Sequence, residues 1–190
     1  MRYSFLEDGM VSIHFSEEDS RRCIDLASQT HDRYGNKHGY YLNLASSHVL
    51  GRAGEFAVAY LLSLIDGTVI SLFSNPDEDS RADIIFGNLQ IDVKTWNDTY
   101  WSEWGRCISI RQYPHLKAKA SHIVWCSSDA KESVSSWTVK IRGWNTIDEI
   151  ASWPKKWTGP SGKQVHNFQC QEKDIRKLDS LIPQISQLTD

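Results

Sequence analysis

The chain has 190 residues, 40 % of them apolar and 24 % charged, and its 21 Lys and Arg stand against 24 Asp and Glu for a net charge of -3. A mean hydropathy of -0.46 argues against a membrane-spanning protein, as does a longest near-apolar run, Phe56 to Ile65, of half the roughly 20 residues a bilayer-crossing helix needs. Eight Trp, seven Tyr and six Phe exclude a disordered chain, because such a composition has apolar surface to bury.

The first eight residues reach Glu7 and Asp8 before a secretory apolar core forms, so an intracellular, cytoplasmic location is expected. Cys23, Cys107, Cys126 and Cys170 are spaced by 84, 19 and 44 residues. That matches neither a disulfide framework nor paired zinc ligands, and reduced structural thiols are expected. Ser16 followed by Glu17, Glu18 and Asp19 marks a helix start, with acids at the positive end of the dipole. Cys23, Ile24, Ala27 and Tyr34 then recur at helical spacing until Gly35. Residues 36 to 46 read as a loop. Ser47 is expected to cap a second helix that runs to about Ile65, with Gly67 as its stop, and the all-apolar stretch Phe56 to Leu62 predicts that this helix is buried.

The period then changes from 3.6 to 2. A short strand is expected over Val69 to Phe73, an acidic turn over Asn75 to Ser80, and a hairpin of Arg81 to Phe86 and Leu89 to Trp96 around Gly87-Asn88. After a Trp-rich loop from Asn97 to Gly105 come a strand from Cys107 to Arg111, a short helix from Pro114 to Ala120, and strands from His122 to Ser127 and Val134 to Arg142. The tail from Glu172 to Leu188 is weakly helical and interrupted by Pro183. With no repeat and no long linker, one layered α/β domain is expected.

The hairpin carries the chemistry. A two-residue loop sets Phe86 against Leu89, Ile85 against Gln90, Ile84 against Ile91 and Asp83 against Asp92. Facing Cβ atoms are about 4.5–5.5 Å apart, and like charges there repel. Ile84, Phe86, Leu89, Ile91 and Val93 fall on one face, and Asp83, Asp92 and Lys94 share the other. A divalent cation turns the repulsion into coordination, and Mg²⁺, which takes oxygen ligands and keeps several waters, suits two carboxylates. Lys94 is placed to orient or deprotonate an attacking water and to neutralise charge on a phosphate. An ordinary solvated sheet face is the plain alternative for Asp-x-Lys alone; the facing Asp83 weighs against it.

Gly54-Glu55-Phe56-Ala57-Val58 on a buried helix, Ala82-Asp83-Ile84 on a strand and Ile91-Asp92-Val93-Lys94-Thr95 on the next resemble, in that order, the PD-(D/E)xK nuclease superfamily. The resemblance covers about residues 47 to 127; Ala82 stands where the family name has proline. It implies a restriction-endonuclease-like α/β core with a mixed central sheet flanked by helices. On this reading residues 1–190 form one nuclease-like domain, with an N-terminal helical extension (1–46), a catalytic core (47–144) and a C-terminal extension (145–190). It further implies that Asp83 and Asp92 ligate Mg²⁺, or Mn²⁺ in its place, with the Val93 carbonyl as a further ligand. Lys94 activates the attacking water, and Glu55 approaches as a ligand or through a water. Glu55 sits on the apolar stripe of Val58, Ala59 and Leu62, so its charge needs a partner; a salt bridge to Arg52 is the alternative to the metal site.

From Trp104 to Ser128 the charged residues are Arg106, Arg111, Lys117 and Lys119, a run of +4 in an acidic chain, and a phosphate backbone is expected there. Gln112 is a further polar contact beside it. Trp153-Pro154-Lys155-Lys156-Trp157 interleaves rings that stack on bases with cations that neutralise phosphate, so Lys155 and Lys156 join the nucleic-acid-binding set. Trp96, Trp101 and Trp104 stand as a lid or wedge beside the site, or as packing. His31, Asn36 and His38 suggest a ββα-metal site, but their segment reads as helix end and loop. His115 and His122 read as surface and structural residues. The expectation is a Mg²⁺-dependent DNA endonuclease of nicking, junction-resolving or mobile-element type, with no membrane and no organic cofactor; the resemblance allows a homodimer with one active site per strand, though no residue pattern here demands it. An RNA nuclease and an inactive nuclease-fold module binding DNA or protein are the alternatives.

Overall fold

The computed structural model describes residues 1–6, 8–34, 44–66, 70–71, 81–159, 161–162 and 164–188. Among them no helix is long and apolar enough to cross a membrane. The chain is mixed α/β. A seven-stranded sheet runs in the order β1-β2-β8-β7-β5-β4-β3, and a three-stranded sheet in the order β6-β10-β9.

The N-terminus corrects an expectation. Residues 1–46 do not form a purely helical extension, because β1 (Arg2–Phe5) and β2 (Val11–Phe15) make a hairpin whose second strand pairs antiparallel with β8 (Trp137–Thr146). The signal was present: Val11, Ile13 and Phe15 alternate with Ser12 and His14, and all three apolar side chains are buried. Helix α1 (Glu17–Tyr34) starts where expected. Asp19 N–H donates to Ser16 Oγ (3.3 Å) while Ser16 N–H donates back to the Asp19 carboxylate (3.0 Å), a reciprocal cap in which Asp takes the usual Glu position.

Helix α2 (Leu44–Ser63) begins earlier than the Ser47 cap predicted. Ala53, Ala57, Val58, Leu61 and Leu62 on it are buried against the large sheet, and each fully buried Val or Leu contributes about 1.5–3 kcal/mol. Gly54 makes the contact close: a Cβ there would lie 1.8 Å from Thr95 Oγ1, so only glycine lets the helix backbone lie against that strand. Of the expected strand over 69–73, β3 (Ile70–Ser71) is described; Gly35, Asn36, His38, Gly67 and the Asn75–Ser80 turn lie outside the described residues.

The hairpin of β4 (Ile84–Phe86) and β5 (Leu89–Asn97) has the expected register, Ile84 opposite Ile91 and Phe86 opposite Leu89. Gly87 at φ 57° begins its two-residue turn. β6 (Cys107–Ser109) and α3 (Tyr113–Lys119) follow, then β7 (His122–Ser128), which pairs parallel with β5 and antiparallel with β8. β8 runs four residues past the predicted end at Arg142. β6 leaves the large sheet: it pairs with β10 (Val165–Gln169), which pairs with β9 (Lys155–Thr158), so the C-terminal segment holds two strands that the sequence reading did not contain. The tail is three short 3-10 turns.

Two cores result. One lies between α1, α2, the large sheet and the C-terminal Leu178, Ile182 and Ile185. The other covers the opposite face, where Leu116 of α3, Ile108, Phe168, Trp125 and Trp153 meet. On the face of β5 that points away from α2, Gln90 is exposed and Lys94 half-buried, while Asp92 is fully buried and meets Lys119 at the end of α3. All four cysteines are buried and unpaired, as expected for structural thiols; burial pushes Cys23 and Cys170 up to about 12 and Cys107 to about 11.

Candidate active site

β4 begins at Ile84, one residue after Asp83, so the hairpin ladder opens where Asp83 meets β5. Val93 N–H, left without a strand partner on that side, donates to Asp83 Oδ2 at 2.8 Å. An extended strand sends a residue's carbonyl the same way as its N–H, so the Val93 oxygen also lies toward Asp83. Asp83 is 8 % exposed and Asp92 fully buried. The solvated-face alternative is thereby removed: these two carboxylates sit at the covered mouth of the hairpin, on the side given by the alternation.

Two ammonium groups meet them. Lys94, two residues along β5, ion-pairs with Asp92 Oδ2. Lys119, the last residue of α3, places Nζ 2.8 Å from Asp92 Oδ1 and 3.5 Å from Asp83 Oδ1. Lys119 thus departs from its expected place on an open phosphate-binding surface, because its side chain is drawn in by the carboxylates and only 17 % of it remains exposed. Spacing could have found it, since Lys119 follows the buried Leu116 by three residues and so shares its face of the helix.

Electrostatics divide the acids. Burial pushes Asp92 up, but the Lys94 and then the Lys119 ammonium outweigh it and hold the carboxyl below its ordinary range. Asp83 moves the other way: burial first and the neighbouring Asp92 charge second raise it against the pull of the same lysines. Lys119 is held charged well above its ordinary range, the two carboxylates overcoming the effect of burial. Glu55, on α2 beside Gly54, forms the salt bridge to Arg52 (2.6 Å) with 14 % of its side chain exposed. Burial, then the Asp83 charge, push it up to about 7 despite Arg52. Three acids are therefore matched by three cations.

The donor set fits a hard divalent cation. Asp83 Oδ1 and Asp92 Oδ1 converge on one point, marked by the Lys119 nitrogen, and Mg²⁺ commonly takes one or two carboxylates plus water and phosphate oxygens. Among the described residues no three acidic, imidazole or thiol side chains converge in this way.

The basic residues separate into two groups. Arg106 is a correction: at φ 60° and 9 % exposed it donates to the Trp101 carbonyl (2.8 Å) and the Cys170 carbonyl (3.4 Å), with Glu172 3.6 Å away, so it staples the loop after β5 to the small sheet and is not open to phosphate. Lys117 is exposed and pairs with Asp148 at 2.9 Å. Arg111, Gln112, His115, Lys155 and Lys156 are exposed. Trp101 is buried, donating Nε1–H to Glu172 (3.0 Å), and Trp104 stacks on Tyr100 (5.0 Å), which decides the lid-or-packing alternative toward packing for Trp101. Trp153 is core, whereas Trp157 is 59 % exposed. His122 accepts or donates through Nδ1 to Ser121 Oγ (2.7 Å), a structural contact as expected. Comparison of the chain with protein-family models, with curated proteins and with solved structures finds no match.

Proposed function

We propose that the protein is a divalent-cation-dependent endonuclease that hydrolyses DNA phosphodiesters, on a core resembling the restriction-endonuclease-like fold of the PD-(D/E)xK superfamily. One observation carries this reading: Asp83 and Asp92 converge on a single cation position at the open end of a hairpin, with Lys94 next along the same face. Asp83, Asp92 and the Val93 carbonyl would hold Mg²⁺ or Mn²⁺, and Glu55, salt-bridged to Arg52, would act on the site through its charge. Bound there, the ion supplies Lewis-acid stabilisation of charge on the phosphoryl oxygens. Lys94 orients the attacking water and neutralises charge as the water oxygen bonds to phosphorus. Lys119 leaves Asp92 for a phosphate oxygen as substrate enters. The P–O3′ bond breaks as the attacking water releases a proton to solvent and the departing 3′ oxygen takes one up from solvent, giving a 5′-phosphate and a 3′-hydroxyl.

A second reading is a binding module of the same fold. It is favoured by the charge balance: Lys119 fills the point between the carboxylates and Arg52 neutralises Glu55, so the cluster is complete without a metal. The test is incubation with supercoiled plasmid, linear duplex, single strands and a four-way junction in Mg²⁺, Mn²⁺ or EDTA, alongside Lys94→Ala and Asp92→Ala. Metal-dependent cleavage lost in both variants is expected, and the preferred substrate places the enzyme among nicking, junction-resolving or mobile-element nucleases. Wild type inert on every substrate but still binding DNA would install the second reading.

A further inference from the structure

The small sheet carries a surface that the carboxylate site does not use. Cross-strand pairing sets Trp157 of β9 opposite His166 of β10, and their rings stack with centroids 4.7 Å apart and planes 9° from parallel. Trp157 is nevertheless 59 % exposed. The imidazole holds one side of the indole and leaves most of the ring open. A tryptophan in solvent forgoes a large burial energy, and one held flat by a partner has also lost its rotamer freedom in advance. The two rings help line a groove of about 530 Å³ with Arg111, Ser109 and Gln164, a volume in the range of small-ligand clefts.

Alternation along β9 adds a second charge. Lys155 shares the face of Trp157, its ammonium 5.7 Å from the Phe168 ring, and Lys156 points to the other face. No acidic residue lines the groove. None occurs in either chain segment that builds the sheet: residues 104–128 carry +4 and residues 151–171 carry +3, in a chain whose net charge is -3. An exposed aromatic platform bordered only by cations fits a polyanion with flat rings. A stacked duplex hides its base faces, so the platform can engage only a base that has left the stack.

We propose that the groove around Trp157 and His166 is a base-stacking subsite for an unpaired polynucleotide strand, with Arg111 and Lys155 on its phosphates. The proposal rests on nucleic acid being the substrate of the carboxylate site, and it narrows that substrate to strands with an unpaired segment. The connection between the two sites is short. Arg111 lies two residues before α3 and Lys119 ends it, so groove and carboxylates flank a helix of 7 residues, roughly 10 Å long at 1.5 Å per residue, a length matched by a few nucleotides of strand.

The experiment is fluorescence anisotropy in EDTA, so that binding is read without cleavage. Labelled dT12, a 12-nucleotide RNA of matching sequence and a 12-base-pair duplex are titrated with wild type, Trp157→Ala, Trp157→Phe and Arg111→Gln, each checked for an unchanged melting temperature. Wild type should bind the single strands more tightly than the duplex, with quenching of tryptophan emission that Trp157→Ala abolishes. Trp157→Ala should weaken single-strand binding roughly 5- to 100-fold and Trp157→Phe much less. Arg111→Gln should weaken it and reduce the salt slope by about one. Trp157-dependent binding of either the DNA or the RNA strand supports the subsite. Binding by Trp157→Ala equal to wild type overturns it even if the protein cuts DNA, and so does absence of single-strand binding in EDTA, while the nuclease reading stands or falls on the cleavage assay.

Discussion

Lys119 Nζ lies 2.8 Å from Asp92 Oδ1 and thereby binds the end of α3 to the middle of β5. Removing one partner of a buried ion pair costs about 3–5 kcal/mol when the other charge is left uncompensated; here Lys94 still pairs with Asp92, so the loss falls on Asp83, whose ion pair is with Lys119. Lys119→Met should therefore lower the melting temperature in EDTA. It also vacates the point on which both carboxylates converge, so millimolar Mg²⁺ or Mn²⁺ should raise the variant's melting temperature more than the wild type's. Identical metal responses would mean that the ammonium does not stand in the cation position.

Lys94 is about one-third exposed and its ion partner Asp92 retains Lys119, so Lys94→Ala should fold normally by circular dichroism. Loss of a group that stabilises transition-state charge typically costs roughly 10²- to 10³-fold in kcat. A single-turnover cleavage assay reads this. Normal cleavage by folded Lys94→Ala would remove Lys94 from the chemistry.

Glu55 gives a pH dependence with a definite sign. Its folded value of about 7 lies above the ordinary 4.5, first through burial and then through Asp83. The folded state thus holds the proton more tightly, a stabilisation present below pH 4.5 and lost as pH rises through 7, worth at most about 3 kcal/mol. In metal-free thermal melts, Glu55→Gln should gain on wild type between pH 5 and 8. Asp92, held low, acts oppositely and only at acid pH. A gap between variant and wild type that is constant with pH would contradict the Glu55 assignment.

The contact of Gly54 with Thr95 is testable as a pair. Gly54→Ala forces a methyl to 1.8 Å from Thr95 Oγ1, and overpacking of this kind costs about 1–3 kcal/mol. Adding Thr95→Ala removes the hydroxyl and should recover part of the loss in a double-mutant cycle of chemical denaturation. Purely additive effects would mean that the helix and strand are not in this contact.

The two arginines of the basic segment should behave oppositely. Arg106→Gln strips donors from buried carbonyls, at about 1–3 kcal/mol for each group left unsatisfied, and should lower the melting temperature. Arg111→Gln, on the surface, should change stability by no more than about 0.5 kcal/mol while weakening polynucleotide binding. Equal melting losses in both would refute the division.

Local signals set much of this molecule. The cap at Ser16 with Asp19, the turn at Gly87-Asn88 and the alternation of Ile84, Ile91 and Val93 against Asp83, Asp92 and Lys94 are short-range patterns, and each has its expected place. The same alternation at Val11, Ile13 and Phe15 is equally readable, and marks β2, which lies between the edge strand β1 and β8. What tertiary structure decided are the long-range pairings. Lys119 resembles its exposed neighbour Lys117 in sequence, yet one enters the carboxylate pair and the other meets Asp148 at the surface. Arg106 and Arg111, five residues apart, part in the same way, and Trp153 goes to the core while Trp157 stacks on His166 in solvent. A side chain's charge and period depend on its near neighbours, but its burial depends on which distant segment covers it, and for β6, β9 and β10 that partner lies about 60 residues or less than 15 residues away with no local pattern to say which.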